Sequence, residues 1–398
     1  MDLNSIDRFT IASVSTQLRI WDHSIVTTTE TSSVSQNQNT NPSLVEIRYS
    51  FIPGDLATDT RKGRVDDVCK EWAIWANVTF IKVPLHQDII AVQNARVKAD
   101  GLNDELAKAR AARTIPEKLQ SDANQAVKDI EAATAKIQTL PSTLLIDFIE
   151  PGKWSYSPLG AAAENNQSMG FLAGMTMHLS LHDPPVDDHS QEATAKRNYD
   201  RGTILHEFGH ILGFLHEHQS PARKTVFKFI ESEFDAQFPR KPDRADVLTQ
   251  DKVRQDVLAY SKLDEDSIMM YELPAGATTL NRCIPRKHDL SDLDKAYAML
   301  LYPRPDPNPA AADWITTPSS ALAMDKMGMA AGPVRTKIEQ MYTYLGNQES
   351  IPNVDAGDRT RHIIQTIHKT LGNWSAGEGA VRALISFFFT SLASASSK

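Results

Sequence analysis

The chain has 398 residues, of which 41% are hydrophobic and 23% charged, ordinary values for a soluble globular protein long enough for two or three compact units. A formal net charge of -8 and a pI near 5.9 exclude a broad electrostatic footprint for nucleic acid or an anionic membrane, so any partner must be recognised locally. Only Cys69 and Cys283 occur, which permits one disulfide at most and excludes a disulfide scaffold.

The first segment, Met1 to Thr29, mixes Asp2, Asp7, Arg8, Arg19 and Asp22 into its apolar residues and so lacks the unbroken apolar core of a secretory signal. Thr27 to Ser43 is rich in Ser, Thr, Asn and Gln and reads as a flexible linker, which makes residues 1–43 an N-terminal extension. Leu44 to Ile52 alternates, with Val45, Ile47, Tyr49 and Phe51 on one face, as a half-buried strand does. Val65, Val68, Trp72 and Trp75 recur at helical spacing, and Val78 to Val83 reads as a second strand.

An insertion over about residues 86–140 follows. Val92, Ala95, Ala99, Leu102, Leu106 and Ala109 form one heptad stripe; Leu119, Ala123, Ala126, Ile130, Ala133 and Ile137 form another, and Pro116 lies between them. The pattern predicts two Ala-rich helices folded back as an antiparallel hairpin. A stalk that packs only on itself and a partner-binding or substrate-gating arm both fit.

Strands are expected again at Leu144 to Ile149 and Met175 to Leu181, and a helix at Asn198 to Leu212. The run Pro303-Arg-Pro-Asp-Pro-Asn-Pro309 favours extended backbone and sets a domain boundary. Residues 304–398 are expected to be a Pro-rich linker and a helical extension, with stripes such as Ile363, Ile364, Ile367 and Leu371 and no chemical motif. Val381 to Leu392 is broken by Arg382 and is too short to span a bilayer. With no visible signal or anchor, a cytoplasmic or non-classically secreted protein is the expectation.

The chemistry is concentrated in Leu205-His-Glu-Phe-Gly-His-Ile-Leu-Gly-Phe-Leu-His-Glu217, an HExxHxxGxxH sequence. His206 and His210 lie four apart, so on a helix both imidazoles leave one face a turn apart and can share one metal. Gly213 is where the helix must stop, because glycine takes the left-handed terminal conformation without steric cost; the chain can then bring His216 to the same metal. Three neutral imidazoles leave a position open for water, as a catalytic zinc site does and a closed structural site does not. Zinc lowers the pKa of such a water toward about 7, and Glu207 stands beside the ligands as the general base that can later hand the proton to a leaving amine.

These residues match the extended metzincin signature, and Phe214 with Glu217 gives it the form HExxHxxGFxHE, which resembles that of the astacins. Ser267-Ile-Met-Met-Tyr271 resembles the astacin Met-turn, SxMxY. By that resemblance Met269 lies beneath the zinc, and Tyr271 is the phenol that approaches the metal and stabilises the developing oxyanion. Ile47 to Phe51, Gly152-Lys-Trp-Ser-Tyr156 and Leu290-Ser-Asp-Leu-Asp294 through Leu301-Tyr-Pro303 resemble the first strand, the GxWSYxG segment and the closing helix of the same family.

The resemblance covers about residues 44–303 and implies an α+β metzincin catalytic domain. Its twisted mixed sheet would carry an antiparallel edge strand, its helices would lie above a cleft, and a C-terminal subdomain would lie below. One catalytic zinc ion and polypeptide substrates follow from it. Extended substrate would add by backbone hydrogen bonds to the edge strand Met175 to Leu181, with Met177 in the substrate site.

Many astacins prefer an acidic residue after the scissile bond. The segment that would shape that pocket is Asn281 to His288, which carries Arg282, Arg286 and Lys287. Phe51-Ile-Pro-Gly-Asp55 superficially resembles the FxGD aspartate of astacin precursors, but its spacing is one residue too long and a turn is the better reading. Lys153 stands where the family commonly has a cysteine. The histidines near the motifs, His178, His182, His189 and His218, read as surface or packing residues.

Two other functions fit less of the sequence. A protein-binding module with a vestigial zinc site would act through the hairpin and would have no need of Glu207 or Tyr271. A different zinc hydrolase, such as a deacetylase, would not be expected to carry both signatures.

Overall fold

The computed structural model describes residues 45–112, 116–137, 144–153, 155–157, 176–220, 223, 226–230, 263–302 and 320–326, with a few positions between 331 and 340. The alternating segment forms β1 (Val45–Phe51), with Val45, Ile47 and Tyr49 buried. It is flanked by β2 (Val78–Lys82) and β3 (Leu144–Ile149), and β4 (Thr176–Ser180) lies outside β3, giving the order β2-β1-β3-β4. All four strands run parallel, with Val45 opposite Val78, Phe51 opposite Ile146 and Ile149 opposite Ser180.

Parallel neighbours need long crossovers, and helices supply them here. Between β1 and β2 run α1 (Asp59–Val68), whose first turn is capped by the Thr58 hydroxyl, and α2 (Lys70–Trp75). The expected single helix is therefore two, meeting at Cys69. Between β2 and β3 runs the inserted pair, α3 (Gln87–Ala111) and α4 (Glu117–Ile137). Leu85 and Ile52 join Ile89 and Val92 of α3 around Leu145, while the neighbouring Leu144 and Ile146 belong to the main core. Side chains alternate across a strand, so the hairpin root and the main core hold opposite faces of β3. Farther out, Ala99 and Leu106 of α3 and Ala123 and Ala126 of α4 are buried, as the stripes require.

The expected antiparallel edge strand is not among the described strands. Thr176–Ser180 is parallel to β3, and the one antiparallel contact to this sheet among the described residues is an isolated bridge between Tyr156 and His178. Met177 corrects another expectation. Its side chain is fully buried in the main core with Ile146, Leu179 and Phe208, so that side chain is a core group and not one that meets substrate. A turn follows β1, three residues later than the expected Phe51 to Asp55, at Gly54 to Ala57, with Ala57 N–H donating to the Gly54 carbonyl at 3.0 Å.

The main core also takes in Trp72, Ile204, Leu205, Phe208 and Tyr302. A second, smaller cluster gathers Phe227, Met270, Leu273, Ala277 and Ile284. The closing helix is α6 (Asp292–Leu301), opened by a capping box in which Ser291 and Asp294 each accept the other's backbone N–H. Against it packs α7 (Ser320–Lys326), with Ala323 and Met324 buried and Lys326 paired to Asp292 at 2.5 Å. The start of the expected C-terminal extension thus rests on the closing helix. The stripes at Ile363, Ile364, Ile367 and Leu371 lie outside the described residues. Cys69 is buried, Cys283 is exposed, and neither forms a disulfide. Among the described residues no helix is long and apolar enough to cross a membrane.

Candidate active site

Helix α5 (Gln191–Ile211) carries His206, Glu207 and His210. It begins a turn and more before the expected Asn198, at a Ser190 N-cap whose hydroxyl accepts from Ala193 N–H at 3.1 Å. Its end is fixed by Gly213 at φ 92°, where Gly213 N–H donates to the His210 carbonyl at 2.8 Å and Phe214 N–H to that of Gly209 at 3.0 Å. This pair of bonds is the helix stop that a left-handed residue permits. The chain turns there and returns as a 3-10 turn, Glu217–Gln219, immediately after His216.

The turn brings three imidazoles together. Ligand atoms of His206, His210 and His216 all lie within 4.8 Å of one another, and His210 Nε2 is 3.0 Å from His216 Nε2. His206 Nδ1 donates to the Ile268 carbonyl and His210 Nδ1 to the Phe214 carbonyl, both at 2.8 Å. Those bonds orient two rings and leave their Nε2 atoms free to bind a metal, the usual arrangement around a zinc-ligating histidine. Burial, followed by neighbouring imidazoles, holds His206 and His216 well below the ordinary histidine range; burial alone pushes His210 down to about 4. All three are neutral at physiological pH, as ligation requires. A nitrogen donor set of three neutral rings fits zinc with a coordination position to spare.

The floor of the site is the Met269 segment. A Cβ on Gly209 would fall 2.5 Å from Met269 Sδ, so the methionine packs this closely against α5 because the position has no side chain. Asp294, fully buried, accepts from Ser267 Oγ and Ile268 N–H at 2.7 Å and from Ser291 N–H at 2.9 Å, while Ser267 Oγ accepts from Met269 N–H at 3.0 Å. Glu217 ties the other side: its N–H donates to the Met269 carbonyl at 3.0 Å and its carboxylate accepts from Asp264 N–H at 2.9 Å. Trp72 stacks on Phe214 at 5.2 Å and donates from Nε1 to the Leu205 carbonyl at 3.0 Å, bracing the helix from behind.

Around the three rings stand the remaining functional candidates. The Glu207 carboxyl is buried beside them, lifted by burial to about 8 against the lowering influence of the Ser157 hydroxyl and Arg286. The Tyr271 ring lies 4.3 Å from that of His216 and 5.9 Å from that of His206. Arg286 donates to Thr203 Oγ1 at 2.7 Å, lies 3.9 Å over the Tyr199 ring, and is near enough to His206 and Glu207 to depress both pKa values. Arg282 is paired instead with Glu265, and Lys287 with Asp266 at 2.7 Å. Of the three basic candidates, Arg286 is the one bonded to α5.

Residues 191–293 match the family model described as Astacin (Peptidase family M12A). Over these residues the chain resembles the astacins, and with its three clustered histidines it is a zinc metalloendopeptidase. No curated protein matches it. Among solved structures, myroilysin is 22% identical with a TM-score of 0.39, over 65% of this chain and 93% of its own. High choriolytic enzyme 1, a hatching enzyme zinc-protease from Oryzias latipes, is 13% identical with a TM-score of 0.33, over 67% of this chain and 92% of its own.

Several residues of the enzyme's site escaped the sequence reading. Asp294 was read only as part of the closing-helix segment, not as the anchor of the Met269 segment. Gly202 is needed because a Cβ there would lie 2.4 Å from the Lys287 carbonyl oxygen, and nothing in the local sequence announces that contact. His218, read as a surface or packing residue, is fully buried and held down to about 3, chiefly by burial.

Proposed function

We propose that this enzyme cleaves internal peptide bonds with Glu207 as the group that moves the proton and Tyr271 as the donor to the developing oxyanion. The observation that carries the reading is the juxtaposition of three neutral imidazoles with a buried glutamic acid on the helix that bears two of them and a phenol against His216. Zinc, when bound by His206, His210 and His216, polarises the scissile carbonyl and lowers the pKa of the attacking water and of Glu207.

Burial raises the proton affinity of the Glu207 carboxyl and a bound zinc would lower it again, so the two influences together bring it toward the range of a group that takes a proton from water and then delivers it to the leaving amine. Tyr271 borders His216, so its hydroxyl can be directed at the oxygen where charge develops. Arg286 lies over the Tyr199 ring and is tethered to Thr203, an arrangement that supports recognition of an acidic side chain just beyond the scissile bond.

The test is cleavage of a proteome-derived peptide library, with the new termini sequenced, by the wild type, the wild type with a zinc chelator, and Glu207→Gln. The wild type alone should generate internal cuts. Glu207→Gln should keep its zinc while losing about 10² to 10⁴ in rate. Near-normal turnover by Glu207→Gln would remove Glu207 from the mechanism, and a zinc-loaded wild type that cuts nothing would return the chain to the reading of a binding module.

A further inference from the structure

His218 lies in the 3-10 turn directly beyond the third histidine, with 0% of its surface exposed and neither ring nitrogen hydrogen-bonded. Its ring is stacked on that of His216 at 5.2 Å and 22°, and lies against that of Tyr271 at 4.4 Å and 36°. Phe229 closes the far edge at 6.4 Å, and Arg223 covers Phe229 at 4.2 Å. Tyr271 therefore touches two stacked imidazoles, one in the metal-binding group and one outside it.

A phenylalanine would fill this aromatic slot without any polar atom. An imidazole there bears the desolvation penalty of two buried nitrogens, and a buried polar group retained at that cost calls for a use at the site it faces. The adjoining group whose task requires exact orientation is the phenol of Tyr271. A neutral imidazole offers one N–H donor and one acceptor nitrogen, either of which can pair with a phenol hydroxyl.

We propose that His218 is a positioning residue for Tyr271, its ring setting the plane against which the phenol lies and a ring nitrogen steering the phenol hydroxyl during turnover. The proposal rests on the reading of Tyr271 given above. No proton is transferred to or from His218 in this role, and it is not a metal ligand.

A double-mutant cycle on the full-length, zinc-loaded enzyme tests it, with kcat, KM and zinc content measured for wild type, His218→Phe, Tyr271→Phe and the double variant. His218→Phe should keep one zinc per chain and a KM within about twofold, and lose on the order of tenfold in kcat, as loss of one hydrogen bond entails. In the Tyr271→Phe background the same change should cost less than about twofold, because the group being steered is already gone. An unchanged kcat in His218→Phe, or an equal loss in both backgrounds, overturns the proposal. So does loss of a second equivalent of zinc, which would make His218 a ligand. If His218→Phe does not fold, His218→Leu carries the same cycle. If Tyr271→Phe alone keeps wild-type kcat, the reading of Tyr271 falls and His218 loses its role with it; if only His218→Phe is unimpaired, the reading of Tyr271 stands.

Discussion

Helix α5 and the segment beneath it are locked by polar groups that water does not reach, whereas the hairpin of α3 and α4 joins the fold through a small apolar root. Around α5, Asp294 and Glu217 bind the backbone of residues 264 to 269 from two sides, and Ile268 in turn orients His206. At the root of the hairpin, Ile89 and Val92 meet Leu145, and beyond it α3 and α4 bury mainly small side chains against each other. Apolar contacts tolerate adjustment, but a buried hydrogen bond that loses one partner leaves the other unpaired at about 1–3 kcal/mol. The site should therefore be brittle and the hairpin dispensable.

The largest effect should follow from His216→Ala. With two protein ligands left, zinc occupancy should drop sharply and peptide cleavage should disappear with it. Metal analysis that finds full, tightly held zinc in this variant would reject His216 as the third ligand.

Next comes Asp294→Ala, which reaches the site from outside. It leaves Ser267 O–H and the N–H groups of Ile268 and Ser291 without their acceptor, so a loss of about 3 kcal/mol in urea unfolding is expected. The pH dependence has a definite sign. Burial raises Asp294 to about 6, so the folded state binds its proton more tightly than the unfolded chain, whose value is about 3.9. Its contribution is fully present below about pH 4 and is lost as pH rises through about 6, and that slope should be missing from Asp294→Ala. Equal slopes in the two proteins would assign it to other groups.

How much of this could be read in advance follows the same division. The metal group was legible because helix geometry and one glycine translate spacing into proximity, and the hairpin because its heptad stripes match the buried positions Val92, Ala99, Leu106, Ala123 and Ala126. The start of α5 was missed because its polar first turns carry no apolar period, only the Ser190 cap. Strand direction at β4 was missed because alternation is the same for parallel and antiparallel neighbours, and Met177 was misplaced with it. His218 and Gly209 owe their environments to Tyr271, Phe229 and Met269, distant in sequence, so local pattern could not reveal them.

Arg286→Ala should produce a smaller, selective loss. If its guanidinium reads an acidic side chain after the scissile bond, cleavage before Asp or Glu should fall about tenfold or more while other cuts persist. The same change removes one lowering influence on Glu207, so turnover of neutral substrates is the necessary control. A wild type that prefers apolar residues at that position would discard this reading without touching Glu207 or the histidines.

The smallest effect on chemistry is expected from removing most of the hairpin. The helices have 25 and 21 residues, about 37 and 31 Å at 1.5 Å per residue, so they travel similar distances out and back. A Gly/Ser bridge replacing residues 96–133 keeps Ile89 and Val92 on Leu145 and leaves β2 and β3 on either side of β1. None of the hydrogen bonds that hold α5, the Met269 segment and α6 together comes from the deleted residues. Zinc content and kcat/KM on a short peptide should thus stay within about twofold of wild type, since surface changes away from buried features are nearly neutral. Cleavage of large folded proteins is the informative contrast. A loss confined to them would make the hairpin a substrate-gating or partner-binding arm, equal activity on both would leave it a self-packed stalk, and a deletion product without zinc would show that the hairpin belongs to the core that builds the site.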